Sequence, residues 1–345
     1  MNREGRVIRA LGALLIGTAA GTFIASAAAA QPVSYEGKTV RMIIPAGAGG
    51  GYDTYARVLS AHLAKHLPGN PTIVNQNMPG ASGLVGTNWA ASDAAPKDGT
   101  VIVATYNALL LEPLFGNERA KFDPRKFEWI GSIGKQQQIC VTWHTSPIKS
   151  IDQAKEREVI VSATGVTGNA ATMPNMLNTM LGTKFKVVTG YTTPESRLAV
   201  ERGEAEGICG LSYSTLKASN PDWIINKRIN VLVQTGATAQ ADLEKVPLLI
   251  NLVSDAETKK VLQVLAVPEE MGRPFFMPAG TPKPYVEAMR KAFDATLKDP
   301  GFLAEAEKVR LEVDPLTGAQ MEKLLKSAYE TPKPLADQAS KLRGD

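Results

Sequence analysis

A strand, a glycine-rich loop and a helix follow one another early in the chain, and this order limits the fold to the α/β class. The β-branched run Thr39–Ile44 precedes four glycines and Asp53, after which apolar residues recur at helical spacing to residue 67. The pattern then returns as a strand at 72–74, a helix at 84–91 and a strand at 100–105. Strands that alternate with helices predict a parallel sheet with crossover connections.

The first thirty residues indicate an export signal. Three arginines, Arg3, Arg6 and Arg9, precede an uncharged apolar run at 10–30 that ends in three alanines. A basic start, an apolar middle and small residues before the cut are typical of a secretory signal peptide. A retained membrane anchor of about 20 residues is the alternative. We predict cleavage after Ala30, no lipid attachment because no cysteine lies there, and a soluble periplasmic protein.

After the first strands and helices the chain forms a second set of strands and helices, and its last part returns to complete the first set. Further strands are predicted at 139–143, 159–162, 186–188, 207–211, 229–234 and 272–277. Helices are predicted at 171–181, from Thr193 onward, and at 285–297, 302–309 and 319–329, with a loop from 235 to about 267. The mature part is longer than one hydrophobic core usually organises. We therefore predict two lobes, each a mostly parallel sheet flanked by helices: lobe I from 31–134 plus 270–345, lobe II from 135–269, with hinges near 134 and 270.

The charge of the chain points to no partner. The formal net charge is +4, and it falls to about +2 once the arginines and the one glutamate of the signal are removed. No dense stripe of lysine and arginine is present, so nucleic acid is not an expected ligand.

Two cysteines, Cys140 and Cys209, both lie in apolar strand-like contexts. We favour two buried thiols that pack as small hydrophobic side chains. A disulfide is the alternative, because an exported protein meets an oxidising compartment. Two cysteines alone supply too few ligands for a metal site.

The glycine cluster before Asp53 is the most informative loop, since bare backbone N–H groups at a helix start can bind an anion. One helix start contributes only about 0.3–2 kcal/mol to such binding, so several must converge. Similar loops occur at 77–83, 164–169 and 191–194, and in an open parallel sheet they emerge where ligands bind. Each loop taken alone could be an ordinary strand-to-helix turn.

These loops and two polar residues after the third strand supply the candidate ligand-binding residues. They are Ala46, Gly47, Ala48, Gly49, Gly50, Gly51, Tyr52, Asp53, Pro79, Gly80, Ala81, Ser82, Gly83, Thr105, Asn107, Thr164, Gly165, Thr167, Gly168, Asn169 and Tyr191. Asp53 favours the helix dipole and can orient the loop N–H groups, with direct ligand contact or a surface pair with Arg57 as the alternatives.

Other uses of the same residues fail on spacing. A dinucleotide fingerprint needs a third glycine where Tyr52 or Thr54 stands, and no Lys-Ser or Lys-Thr follows the cluster as in a P-loop. His62 and His66 are four residues apart, but Leu63 replaces the glutamate of a zinc protease motif. No serine has the surroundings of a hydrolase nucleophile. We expect no cofactor, no metal and no catalysis.

The sequence resembles the periplasmic solute-binding proteins of tripartite tricarboxylate transporters, the Bug or TctC-like family. The resemblance covers nearly all of the mature chain. It rests on KTVRMIIP at 38–45 with the glycine cluster and Asp53, NMPGASG at 77–83, PKDGT at 96–100, GEAEG at 203–207, GRPF at 272–275 and FLAEAE at 302–307.

This resemblance implies a monomeric, two-lobe Venus-flytrap protein of type II-like fold. Its first-lobe loops would hold a carboxylate through backbone amides and ordered water, and it would deliver the solute to an ion-driven membrane transporter. The family's ligands are di- and tricarboxylates, amino acids and aromatic acids. The sequence departs from the family at Ala46, Ala48, Tyr52 and 165–169, which are ligand-reading positions, so the resemblance leaves the ligand open.

Two other functions fit the same sequence. The first is a ligand-sensing subunit for a membrane histidine kinase. The second is an exported α/β enzyme, whose general base would be Asp53 or Glu195.

Overall fold

Two β-sheets flanked by helices make up the chain in this computed structural model, which describes residues 33–163, 169–191 and 193–343. The predicted signal peptide and the candidate residues Thr164, Gly165, Thr167 and Gly168 lie outside the described residues. The strands are β1 (Thr39–Ile44), β2 (Thr72–Asn77), β3 (Val101–Ala104), β4 (Glu128–Ser132), β5 (Gln138–Trp143), β6 (Val159–Ser162), β7 (Phe185–Val188), β8 (Gly207–Ser212), β9 (Ile229–Gln234), β10 (Pro274–Met277) and β11 (Leu316–Thr317).

Helices connect and cover the strands. They are α1 (Gly51–Leu63), α2 (Leu84–Ala91), α3 (Asn169–Leu181), α4 (Thr193–Glu201), α5 (Tyr213–Ser219), α6 (Pro221–Ile225), α7 (Leu249–Leu252), α8 (Ala256–Met271), α9 (Lys283–Thr296), α10 (Pro300–Lys308), α11 (Gly318–Tyr329) and α12 (Lys333–Arg343). Short 3-10 helices lie at Ala64–His66, Ala81–Gly83, Asn107–Leu111, Pro124–Lys126, Gln153–Lys155 and Ala241–Leu243. Among the described residues, no helix combines the length and the apolar character that crossing a bilayer requires.

Each sheet is mixed. The first has the order β11-β4-β10-β3-β1-β2 and the second β7-β6-β8-β5-β9. Four strands in each sheet run in one direction, as predicted, but β10 and β5 are antiparallel to both of their neighbours. Most strands of each sheet therefore run in the same direction, as predicted. The pairs that involve β5 or β10 are nevertheless antiparallel. Both are strands by which the chain enters one sheet from the other: β5 follows β4, and β10 comes after β9 in the chain.

Both faces of the first sheet are buried. Val40, Met42 and Ile44 of β1 join one core cluster, while Ile43 between them joins another. Side chains of a strand alternate between its two faces, so β1 must be covered on both sides. The second sheet follows the same rule through Cys140 and its neighbour Val141, which lie in different clusters.

The prediction of a loop to about residue 267 is wrong, because α8 occupies Ala256–Met271. Asp255 caps its start by accepting a hydrogen bond from Thr258 N at 2.7 Å. Pro268 lies in the last turn of the helix, where the sequence pattern suggested a break. Helix α12, the short α5 and α6, and strand β4 were also not predicted.

Two segments of the chain cross side by side between the sheets. Arg273 N donates to Gly134 O at 3.0 Å, and Gln136 N donates to Glu269 O at 2.9 Å. Gly272 has φ +48°, and a Cβ there would lie 1.8 Å from Gly134 O, so the close approach requires glycine. The crossings fall where hinges were predicted; the exact limits of the lobes stay a prediction.

Cys140 and Cys209 form a disulfide that joins β5 to its neighbour β8. Both residues are fully buried in the core of the second sheet. The interpretation that we favoured, two free buried thiols, is therefore wrong, and the alternative is correct. Sequence context placed both residues in strands, but only the pairing of β5 with β8 brings them together.

Candidate functional site

The two glycine-bearing loops of the first sheet lie next to each other. Asn77, at the end of β2, donates from Nδ2 to Ala46 O at 2.9 Å and to Asp53 Oδ1 at 2.8 Å. The strands β1 and β2 are parallel, and their pairing ends at the last residue of both strands. The loops that follow them therefore leave the sheet at the same edge. Gly51, at the start of α1, lies against Thr215 of α5, so the edge faces the elements of the second sheet.

Asp53 organises the first loop. Its side chain is buried and accepts hydrogen bonds from Gly49 N at 2.9 Å, from Arg57 Nε at 2.9 Å and from Asn77. Burial acts to raise the pKa of the carboxyl, but the bonds from Arg57, Gly49 and Asn77 outweigh it and the pKa is lowered. The oxygens are therefore committed to the loop, which supports the organising role over direct ligand contact.

We expect Asp53→Asn to destabilise the fold by about 1–3 kcal/mol at pH 7, because it leaves buried donors with a weaker acceptor. The folded-state pKa of Asp53 is lowered, so its contribution is present above the unfolded pKa of about 3.9 and is lost as the pH falls through the folded value. The difference between wild type and variant should therefore shrink in acid. Urea unfolding at pH 7 and pH 3 measures both quantities.

The control for this prediction is Asp93→Asn. Asp93 is fully exposed and pairs with Lys97 at 2.9 Å, four residues along the chain. Surface pairs of this kind contribute little, so no measurable change is expected. Equal effects of the two substitutions would contradict the organising role of Asp53.

The second loop has an uncommon backbone. Four consecutive residues have positive φ: Gly80 at 133°, Ala81 at 46°, Ser82 at 53° and Gly83 at 91°. Ala81 and Ser82 carry side chains in the left-handed region, which is strained for residues other than glycine and is often maintained at ligand sites. Both are exposed and both line a cavity between the sheets.

That cavity consists of three adjoining chambers, and Asn169 at the start of α3 lines all of them. Their cavity volumes are about 400, 280 and 90 Å³. We name each by one residue. The Tyr52 chamber is bounded mainly by Tyr52, Ala81, Ser82, Tyr106, Asn107 and Gln136. The Arg197 chamber is bounded mainly by Tyr106, Gln136, Gln138, Ser196, Arg197 and Ser212. The Glu269 chamber is bounded mainly by Asn107, Gln138, Thr172, Met176, Thr235 and Glu269.

A buried polar cluster forms the wall of the Tyr52 chamber. The Tyr52 hydroxyl lies 2.6 Å from Gln136 Oε1 and 2.9 Å from Asn107 Oδ1, and it accepts from Asn107 N at 3.1 Å. Burial raises the pKa of Tyr52 to about 12, so the phenol stays protonated and remains a donor. The Tyr106 ring packs edge-on against Tyr52 with centroids 4.3 Å apart.

The structure separates the remaining candidates. Asn107 and Asn169 line the cavity as predicted, whereas Gly47, Ala48, Gly49 and Gly50 are exposed and line none of the three chambers. Pro79 and Gly80 are likewise exposed outside the chambers, while Gly83 is buried beneath the turn. Tyr191 is half-buried and its N–H donates to Ala163 O.

Thr105 was a candidate ligand contact, and it does not line any of the three chambers. Its side chain is fully buried, and its hydroxyl lies 2.9 Å from that of Thr87 on α2. It comes directly after β3, so the sequence pattern placed it at the correct sheet edge. The face on which its side chain lies is decided by packing against α2.

Arg197 was not predicted, and it is the least compensated cation at the cavity. Its Nη1 donates to Asn220 Oδ1 at 2.5 Å, while its Nε is buried without a hydrogen-bond partner. Burial alone lowers the pKa of this guanidinium. No acidic residue within the described ranges forms an ion pair with it. A sequence signal existed, since Arg197 lies one turn into the helix that follows the loop at 191–194.

Arg273 couples the two sheets beside the cavity. Its guanidinium carbon lies 4.5 Å from the centre of the Tyr52 ring and 4.8 Å from that of Tyr55, both on α1. From the same group, Nη2 donates to Thr215 Oγ1 of α5 at 2.9 Å. Arg273 follows the chain crossing at Gly272 and is almost fully buried, so it fixes the position of α1 relative to α5.

No cluster of three or more histidine, cysteine, aspartate or glutamate side chains suited to a metal ion occurs in the described part of the chain. The protein-derived groups at the cavity are amides, hydroxyls, aromatic rings and single charges. Such a set suits recognition of a small polar organic molecule.

No family model matches the chain. A UPF0065 protein of Bordetella bronchiseptica is 24% identical over 285 residues, which cover 80% of this chain and 78% of that protein. Protein BugT of Bordetella pertussis is 43% identical over 94 residues, which cover 26% of this chain and 28% of BugT.

Solved structures give the same picture at the level of the fold. A TctC solute binding protein from Polaromonas has a TM-score of 0.64 and 20% identity, covering 88% of this chain and 100% of that one. The periplasmic binding protein BugD has a TM-score of 0.64 and 20% identity, with 88% and 96% covered. MatC from Rhodopseudomonas palustris with bound malate has a TM-score of 0.62 and 17% identity, with 88% and 98% covered.

The curated relatives and the solved structures both point to the Bug and TctC-type periplasmic binding proteins. The resemblance found in the sequence is therefore confirmed. So is the two-lobe α/β architecture with helices on both sides of each sheet.

Proposed function

We propose that this chain is an extracytoplasmic solute-binding protein that holds a small organic carboxylate between its two sheets and delivers it to a tripartite tricarboxylate-type secondary transporter. The predicted lobes, 31–134 with 270–345 and 135–269, would close on the solute about the crossings near Gly134 and Gly272.

The observation that carries this proposal is the state of Arg197. A half-buried guanidinium with an unpartnered Nε is costly unless something compensates its charge. Within the described residues no carboxylate does so, and the group lies at a cavity that is open to solvent. Arginine matches a carboxylate in geometry and charge, so an organic anion is the solute class that this cavity fits.

The neighbouring groups suit the same ligand. Ser196 and Ser212 line the Arg197 chamber together with Gln136, and the Tyr106 ring forms part of its wall. Hydroxyl and amide donors can orient a carboxylate, and an aromatic ring can cover its carbon skeleton. MatC, which has a similar fold, holds malate, a small carboxylate.

The cysteines support export. A disulfide persists in oxidising compartments such as the periplasm and is rare in the cytosol. The bond between Cys140 and Cys209, in a chain that begins with a predicted signal peptide, is consistent with a protein that works outside the cytoplasm.

Neither carboxylate that the sequence offered as a general base suits that role. A general base needs a pKa near the working pH, whereas the pKa of Asp53 is lowered and its oxygens hold the first loop. The other named candidate, Glu195, is exposed on the first turn of α4 and does not line any of the three chambers.

Isothermal titration calorimetry of the purified protein tests the proposal. The panel is malate, citrate, adipate, benzoate, glutamate and, as neutral controls, the amides of malate and adipate. We expect at least one acid to bind and its amide not to bind. Failure of every acid, or turnover of any of them, would overturn the proposed function.

A further inference from the structure

The Glu269 chamber contains a carboxylate that has no cation. Both oxygens of Glu269 lie within hydrogen-bond distance of Thr235 Oγ1, at 2.6 and 2.7 Å. No lysine, arginine or histidine in the described ranges forms an ion pair with it. The threonine hydroxyl holds the carboxyl group in the wall of the chamber and brings no positive charge to it.

A second acceptor lies beside it. The Gln138 side chain is 5% exposed, and its Oε1 is buried without a hydrogen-bond partner. A buried acceptor that lacks a donor costs about 1–3 kcal/mol in proteins generally, so a retained one calls for an explanation. Gln138 lines both the Arg197 chamber and the Glu269 chamber, so this acceptor belongs to a residue that the two chambers share.

The cavity is therefore polarised along its length. Arg197 contributes an uncompensated positive charge to one chamber and Glu269 an uncompensated carboxyl to the next, with Gln138 and Asn169 lining both. The remaining wall of the Glu269 chamber is largely apolar, with Leu111 among its members, apart from Arg343, whose guanidinium pairs with Glu112 at 2.7 Å. A ligand that places an anion at Arg197 and extends past Gln138 reaches the Glu269 chamber with its other end.

We infer that Glu269 and Gln138 Oε1 form a cation subsite, and that the solute is dipolar: a carboxylate that also carries a protonated amine. This inference rests on the proposed function and adds a second recognition element to the same cavity. A solute that binds only through a carboxylate at Arg197 leaves Glu269 without a cation and Gln138 Oε1 without a donor. An ammonium group on the same solute supplies N–H donors and a positive charge to both.

Ionisation of Glu269 links this subsite to pH. Burial raises the pKa of Glu269 to about 8, so its carboxyl is mostly protonated at pH 7 in the empty protein. An ammonium group favours the ionised form, and binding then releases a proton to solvent. The charged groups around it are Glu270, which pairs with Lys135 at 3.4 Å, and Arg343, which pairs with Glu112 at 2.7 Å.

The test compares matched ligands by titration calorimetry of the full-length exported protein. The compounds are straight-chain carboxylates of three to six carbons, their α-amino derivatives and their ω-amino derivatives. We expect at least one amino derivative to bind about tenfold or more tightly than its unsubstituted match. Titrations at pH 7 in buffers of different ionisation enthalpy should show release of about one proton per amine bound.

Two variants make the test specific. Glu269→Gln should bring the ratio of the two dissociation constants close to one and remove the proton release. Glu270→Gln, its neighbour on α8, should leave the ratio unchanged, because Glu270 pairs with Lys135 and does not line the chamber.

The outcomes separate this inference from the proposed function. Carboxylates that bind with and without an amine equally would overturn the cation subsite and leave the carboxylate receptor standing. An amine preference that survives Glu269→Gln would also overturn it. Failure of every compound in all three series would overturn the cation subsite, and failure of every acid of the first panel as well would overturn both.

Discussion

Replacing Arg197 with glutamine is expected to weaken binding of the carboxylate solute by at least about 30-fold. Loss of one member of a buried, hydrogen-bonded charge pair costs about 2–5 kcal/mol, and each 1.4 kcal/mol corresponds to a factor of ten in the dissociation constant. Titration with whichever acid of the panel binds measures the change. The dissociation constant of Arg197→Lys should lie between those of the wild type and Arg197→Gln, because lysine retains the charge but lacks the planar set of N–H donors.

The same substitution should not destabilise the empty protein. The Arg197 Nε is buried without a partner and burial lowers the pKa of the group, so removing this cost should offset the loss of the hydrogen bond from Nη1 to Asn220. Urea unfolding in the absence of ligand checks this. A ligand-binding residue is expected to give a variant that loses affinity and keeps or gains stability. Replacing a purely structural arginine would instead lower stability and leave affinity unchanged.

Arg202→Gln is the matched control for this prediction. Arg202 follows the end of the same helix, is mostly exposed and lies 3.9 Å from Glu204. We expect its dissociation constant and unfolding midpoint to match those of the wild type. A loss of affinity in Arg202→Gln as large as that in Arg197→Gln would mean that overall charge, and not a specific contact, attracts the acid.

Removing the disulfide is expected to cost about 4 kcal/mol of unfolding free energy. The two cysteines are 69 positions apart, and the chain-entropy description gives about this value for a loop of that size. The double substitution Cys140→Ala, Cys209→Ala is preferable to either single one, because a single change leaves a buried free thiol. Urea unfolding of the double variant and the wild type, without reductant, gives the difference.

A reducing agent supplies an independent control for the disulfide. Reduction should lower the unfolding midpoint of the wild type toward that of the double variant and should leave the double variant unchanged. Both cysteines lie in the core of the second sheet and neither lines any of the three chambers, so the variant should still bind the acid when folded. Equal stability of variant and wild type would contradict a stabilising role of the bond.

Local patterns predicted many elements well. Strand β1, helix α2, strand β6 and strand β9 fall where the sequence placed them, because β-branched runs and helical apolar spacing are decided by neighbouring residues. The errors have local causes as well. Helix α8 has Pro268 in its last turn, and α12 has Pro334 in its first turn, so both missed helices contain a residue that is typical of helix ends.

The candidate site was predicted only in part, for a different reason. Ala81, Ser82, Tyr52, Asn107 and Asn169 were expected at the ligand because they follow strands, and they line the cavity. Arg197, Gln138 and Glu269 were not expected, because nothing in their immediate sequence distinguishes them from other polar residues. Arg197 and Gln138 each have a buried atom without a hydrogen-bond partner, and Glu269 forms no ion pair within the described residues; these are properties of the surrounding structure.

The sequence by itself determined the α/β class, the order of most elements and the adjacency of the first two loops, since periodicity and glycine placement act over a few residues. The tertiary structure decided which strands pair antiparallel, that Cys140 meets Cys209, that Thr105 is buried against α2, and that Arg197 and Glu269 remain uncompensated. These are consequences of contacts between residues far apart in the chain, and burial sets the energy of a charge only once those contacts exist.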